Sequence, residues 1–139
     1  MPTRRSYVFD ANAIVSAALI QGSVTRKAFD KAHRKGVVLL SGSVITELED
    51  VLGREKLKKY LTEEERLLFM VALVREAKLV TVNETIRECR DPKDNKYLDL
   101  AVSGDAACIV SGDKDLLVMS PFRGIPIVTP SRFLADDSL

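Results

Sequence analysis

Apolar residues in this chain fall into short unbroken runs, separated by longer stretches in which they recur every three or four positions. The runs are Tyr7-Val8-Phe9, Val37-Val38-Leu39-Leu40, Leu79-Val80-Thr81-Val82, Ala107-Cys108-Ile109-Val110-Ser111 and Ile125-Pro126-Ile127-Val128. Short runs without polar alternation predict strands buried on both faces, as in a parallel sheet. Pro126 lacks the amide a ladder needs, which places the last run at an edge. The helical spacing between them predicts helices over 13–20, 24–35, 43–52, 63–77 and 95–103. Gly36 closes the second, Ser43 has the N-cap position of the third, and Thr62-Glu63-Glu64-Glu65 has the form of a capping box for the fourth. A basic helical segment is expected over 54–61, and Asp91-Pro92-Lys93-Asp94 is a loop leading into the fifth helix. Strands alternating with helices predict an α/β fold whose sheet, of four to five mainly parallel strands, is covered on both faces.

A length of 139 residues fits one domain spanning 1–139, with no internal repeat or linker. Hydrophobic residues make up 46% of the chain, enough for a core without staples. The 21 basic and 20 acidic side chains leave a net charge of +1, so no global field draws nucleic acid or an anionic membrane. Polyanions would have to meet local patches, of which Arg26, Lys27, Lys31, Arg34 and Lys35 form one and Arg54, Lys56, Lys58 and Lys59 another. Both read first as solvated helix faces. Cys89 and Cys108 have no CxxC or histidine near them and are expected to be reduced core thiols of a cytoplasmic protein. No stretch is long enough to span a bilayer.

The chemistry lies with the acids. Asp10 ends the first strand and Asp113 follows the fourth, at the carboxyl edge where open parallel sheets bind ligands. Each also has a plainer role, because Asp10 or Asn12 can cap the next helix and Gly112-Asp113-Lys114-Asp115 can be an ordinary turn. Along 43–52, at about 100° per residue, Glu47 and Glu49 flank the apolar stripe on opposite borders, and periodicity does not choose between them. Asp94 projects over the inward face of the helix it precedes and is a good N-cap, whereas Asp99 lies about 140° away. Carboxylates gathered at one edge need protons or a cation. An oxygen-only set favours Mg²⁺ over zinc, and His33, the only histidine and expected to face solvent, leaves neither a zinc site nor a triad. Metal-assisted hydrolysis of a phosphodiester is the chemistry that remains.

Three blocks, VFDANAIVSA, SVITELEDVLGREKL and CRDPKDNKYLDLAVSGDAACIVSGDKDLL, resemble in that order the PIN-domain ribonucleases, and among them the toxins of bacterial and archaeal toxin/antitoxin pairs akin to VapC. The resemblance covers nearly the whole chain. It implies a three-layer α/β/α sandwich and an acidic cluster that holds Mg²⁺ or Mn²⁺ to cut single-stranded RNA. Carried onto this sequence, it assigns Asp10, Glu47, Asp94 and Asp113 to catalysis and metal binding, and so prefers Glu47 to Glu49. It adds Asp115 as a further metal-binding acid, with Asn12, Asp99 and Ser111 in support. It also implies an antitoxin partner and, for many members, a homodimer. Two competing functions are weaker. An aspartyl phosphotransferase with Asp10 as nucleophile would want an acid two positions on, where Asn12 stands. A non-catalytic RNA- or protein-binding module of the same fold would bind without cleaving, and a phospho-receiver would need an acidic pair after the first strand.

Overall fold

The computed structural model describes residues 4–139. Five strands, β1 (Arg5–Phe9), β2 (Gly36–Leu40), β3 (Lys78–Leu79), β4 (Cys108–Val110) and β5 (Ile127–Val128), form one sheet in the order β3-β2-β1-β4-β5. Every strand pair in it is parallel. The centre is made of the unbroken apolar runs, so Tyr7, Val8, Phe9, Val38, Leu39, Leu40 and Cys108 to Val110 are all buried. Gly36 is where β2 begins beside β1, and a Cβ there would lie 1.9 Å from the Arg5 carbonyl oxygen.

Among the described residues seven helices cover the two faces: α1 (Ala11–Leu19), α2 (Val24–Lys35), α3 (Gly42–Leu52), α4 (Glu63–Glu76), α5 (Asn95–Ser103), α6 (Lys114–Leu117) and α7 (Pro130–Ala135). Strand alternation assigns the layers. Tyr7 and Phe9 point to one face, where their rings meet Phe133 of α7 and Phe29 of α2 edge-on at 5.1 and 5.4 Å. Val8 points to the other face, over which α5 packs on β1, β2 and β4. The result is the three-layer α/β/α sandwich, and burying each of these large side chains contributes about 1.5–3 kcal/mol.

Several boundaries differ from the sequence expectation. The third helix begins at Gly42, with Ser41 rather than Ser43 as its cap, because the Ser41 hydroxyl accepts from the Val44 amide at 3.3 Å. Over 54–61 only one 3-10 turn forms, Glu55–Leu57. Crowded like charges from Arg54 to Lys59 and only two half-buried leucines, Leu57 and Leu61, give a longer helix little to gain. The third strand is reduced to Lys78–Leu79: the Val80 amide still bonds to the Leu40 carbonyl, but residues beyond it leave the sheet. Helices α6 and α7 carry no periodic signal, being too short to show one, and each is opened by a capping residue, Asp113 and Thr129. The Thr62 and Glu65 capping box forms as expected. His33 does not face solvent freely; its Nδ1 bonds to the Phe29 carbonyl at 3.0 Å and its ring packs on Phe29.

Candidate active site

From β1 the chain runs outward through β2 to β3, then returns to β4 and continues to β5, so the order reverses between β1 and β4. In open parallel sheets that switch point, at the carboxyl ends of the strands, leaves a crevice. Asp10 directly follows β1 there, and Ser111 directly follows β4. Asp10 is both cap and cluster member. Its Oδ1 accepts from the Ala13 amide at 2.8 Å, which opens α1, while its Oδ2 accepts from the Ser111 hydroxyl. Burial pushes its pKa up; these two bonds oppose that, and the Asp113 and Glu47 carboxylates add to it.

Ser111 is itself fully buried and also accepts from the Asp113 amide at 2.9 Å, which fixes the turn that presents Asp113. Asp113 caps α6 through the Asp115 amide at 2.8 Å. Asn12 is exposed and lines, with Asp10 and Asp113, a cleft of about 440 Å³.

Asp94 behaves differently from the other caps. It occupies the N-cap position of α5 but makes no capping bond. Its side chain is buried, and among the described residues Oδ2 has no hydrogen-bond partner. Burial first, then the Asp113 carboxyl within hydrogen-bonding reach, push its pKa up to about 7, with Asp91 and Asp10 adding to the effect. Two ionised carboxylates are acceptors only, so one of them must take a proton or both must share a cation. The capping explanation for Asp94 therefore fails here, and what remains is an oxygen aimed at other acids.

Glu47, in the middle of α3, reaches the cluster from the side. Its Oε2 accepts from Lys96 Nζ at 2.6 Å and from the Tyr97 phenol at 2.8 Å, both from the first turn of α5. The Tyr97 oxygen in turn accepts from the Ala11 amide at 2.9 Å. Glu49 is exposed, so the fold separates the two glutamates that periodicity left equal. Asp115 pairs with Arg90 at 2.9 Å, and Asp91, Asp94 and Asp115 each bring one carboxylate oxygen within 4.8 Å of the others. Asp99 has a bond of its own: its Oδ1 accepts from the Ile86 amide at 2.6 Å and ties the segment after β3 to α5.

The donor set suits a hard divalent cation. It consists of oxygens, it includes an unpartnered buried one, and repulsion among its members is left uncompensated apart from Lys96 and Arg90. Cys89 lies close by, but burial raises its pKa and keeps it a thiol rather than a soft thiolate ligand. Residues that sequence alone did not single out for chemistry are Tyr97, Lys96, Arg90 and Asp91. A polar tip on an inward-facing tyrosine was the one available signal.

The two basic patches are mostly engaged elsewhere. Lys31 is buried, donating to the Phe133 and Asp136 carbonyls at 2.5 and 2.9 Å, and Lys35 donates to the Asp137 and Leu139 carbonyls. Arg26 bonds to Asp30 and to the Ala17 carbonyl, while Arg54 and Lys58 pair with Asp50 and Glu55. Arg26, Lys31 and Lys35 of the first patch fasten α2 to α1 and to the chain end, and Lys27 and Arg34 are exposed.

Comparison with known proteins gives a consistent picture. The sequence profile of the PIN domain matches residues 6–115. The uncharacterized protein MJ1680 of Methanocaldococcus jannaschii is 31% identical over 112 residues, which are 79% of this chain and 72% of that protein. The crystal structure of PAE2754 from Pyrobaculum aerophilum superposes with a TM-score of 0.65 at 16% identity, covering 95% of this chain and 88% of the other. That of VapBC2 from Rickettsia felis, bound to a DNA fragment from their promoter, superposes with a TM-score of 0.61 at 12% identity, covering 89% and 98%. Among the described residues no helix is long and apolar enough to cross a membrane.

Proposed function

The chain belongs to the PIN domain family, and on that premise we propose that it is a metal-dependent endoribonuclease that hydrolyses phosphodiester bonds of single-stranded RNA, as the toxin of a toxin/antitoxin pair. The observation that carries the proposal is Asp94: a buried carboxylate that declines its capping bond, lacks a donor and faces Asp113 and Asp10. Asp10, Glu47, Asp94 and Asp113 would hold one or two Mg²⁺ or Mn²⁺ ions, with Asp115 beside them and Asn12 at the rim of the cleft. When bound, such an ion supplies an acidified water and positive charge for a phosphodiester.

The chain supplies the geometry. Ser111 and the Ala13 amide orient Asp10, while Tyr97 and Lys96 hold Glu47. Asp94, its pKa pushed up to about 7, stands between its protonated and ionised forms near neutral pH, and a bound cation would favour the ionised form. Lys96 and Arg90, at the edge of the acids, offset repulsion between the cluster and the phosphates of a nucleic acid. The Ser111 hydroxyl is engaged by Asp10, and the only histidine, His33, packs on Phe29 within α2, so among the described residues no hydroxyl nucleophile paired with a histidine base stands in the cluster. Water is the attacking group in this reading, with no covalent intermediate. The phosphotransferase alternative would use the Asp10 carboxylate itself, but it meets Asn12 where it wants a second acid.

An antitoxin partner is supported by the likeness to VapBC2, and a protein partner, antitoxin or second copy, by the exposed Leu67, Leu68 and Val71 on α4. Incubation of labelled single-stranded RNA with Mn²⁺ or Mg²⁺ tests the activity. Cleavage is expected with either ion and is expected to vanish with EDTA or in Asp10→Asn. RNA that is bound but left whole under every divalent ion would instead identify a non-catalytic module.

A further inference from the structure

Tyr97 is fully buried yet keeps a hydroxyl, which is costly unless it is bonded. Both of its hydrogen-bonding capacities are used, and both on neighbours of the acidic cluster. It accepts from the amide of Ala11, the residue after Asp10, and donates to Glu47 Oε2. One oxygen thus ties the start of α1 to the middle of α3, at residues 36 positions apart in sequence, and so links the stretches that carry Asp10 and Glu47. The bond from Lys96 falls on the same Oε2, while among the described residues Oε1 takes none. The clamp occupies one oxygen of Glu47 and leaves the other free to face the cluster.

We propose that Tyr97 is a positioning residue that sets the placement of Glu47 relative to Asp10 through its phenol, and thereby sets the affinity of the cluster for a divalent cation. The proposal rests on the metal-dependent function above. The Ala11 amide donates to the phenol oxygen, and the phenol's own proton is the one that reaches Glu47 Oε2. Lys96 is not equivalent. It is partly exposed, and its ammonium is a movable point charge that competes with a cation for the same carboxylate.

Mn²⁺ titration of the full chain by calorimetry, for the parent, Tyr97→Phe, Glu47→Gln and the double variant, provides the test. Tyr97→Phe keeps the ring and is expected to weaken Mn²⁺ binding about tenfold, the scale of losing a group that orients a metal ligand. In the Glu47→Gln background the same change is expected to have little further effect. Equal affinity in a folded Tyr97→Phe overturns the proposal, and so does a tenfold loss that persists without Glu47, since a purely structural role would produce one of these. A parent chain that takes up no Mn²⁺ overturns the metal-dependent function as well, which separates the two failures. A second measurement keeps every phenol hydroxyl: with the three tyrosines replaced by 3-fluorotyrosine, the Tyr97 fluorine resonance should shift on Mg²⁺ addition and should not in Glu47→Gln. A resonance that Mg²⁺ leaves in place counts against the clamp.

Discussion

Asp94 combines three properties rarely found together in a carboxylate without a functional role, being buried, lacking a donor and having its pKa pushed up to about 7. Unfolded, it would release its proton near 3.8. Between those values the native state of the metal-free protein binds more protons than the unfolded state, so stability falls as pH rises from about 4 to about 7. Asp10, raised mainly by burial, acts in the same direction. Thermal unfolding without divalent ions is therefore expected to show a higher midpoint at pH 5 than at pH 8, with much of that slope gone in Asp94→Asn; a midpoint that climbs across the window would contradict the assignment. Asp113→Asn relieves the same repulsion, so it should leave the metal-free midpoint unchanged or higher while lowering RNA cleavage at least about 100-fold. Cleavage at the parental rate would remove Asp113 from the site. Lys96→Met, which deletes a competing positive charge but leaves the phenol bond to Glu47, is expected to bind Mn²⁺ at least as tightly as the parent.

Among the elements, α4 is the least committed to the core. Leu73 is its only fully buried residue, and Leu67, Leu68 and Val71 face outward. Its start depends on the reciprocal bonds of Thr62 and Glu65, at 3.0 and 3.1 Å. Thr62→Ala is expected to cost about 1 kcal/mol in denaturant unfolding without changing cleavage, because α4 contributes none of the acids. The capping box could be read from sequence because its residue types and spacing are local. Ser41 could not be told from Ser43 by the same logic, since two serines flank a glycine and only the observed φ and ψ of the turn decide between them. The expected helix over 54–61 failed for a tertiary reason: helical spacing there had little apolar surface to bury.

At the scale of the molecule, the acids converge because the strand order reverses between β1 and β4, bringing residues 10 and 111–113 side by side across a hundred positions of chain. Concentrating like charges at that point lowers stability unless a cation joins them, so Mn²⁺ should protect the whole fold. A concentration about 100 times the dissociation constant is expected to add about 2.7 kcal/mol, read as a raised thermal midpoint that Asp10→Asn abolishes. Sequence by itself determined the α/β class and the parallel sheet, because burial on both faces demands unbroken apolar runs, and the edge position of the last strand, because Pro126 lacks an amide for a ladder. It also narrowed the acids to a few candidates, since each falls just beyond a strand or on the border of a helix stripe. Only the tertiary structure decided which of them meet: that Glu47 turns toward the cluster and Glu49 toward water, that Asp94 forgoes its cap, that Asp99 is spent on the Ile86 amide, and that Lys31 and Lys35 are fastened to the chain end. Each of these outcomes depends on what stands across the sheet or on the facing helix, and local spacing carries no information about a partner brought near by the fold.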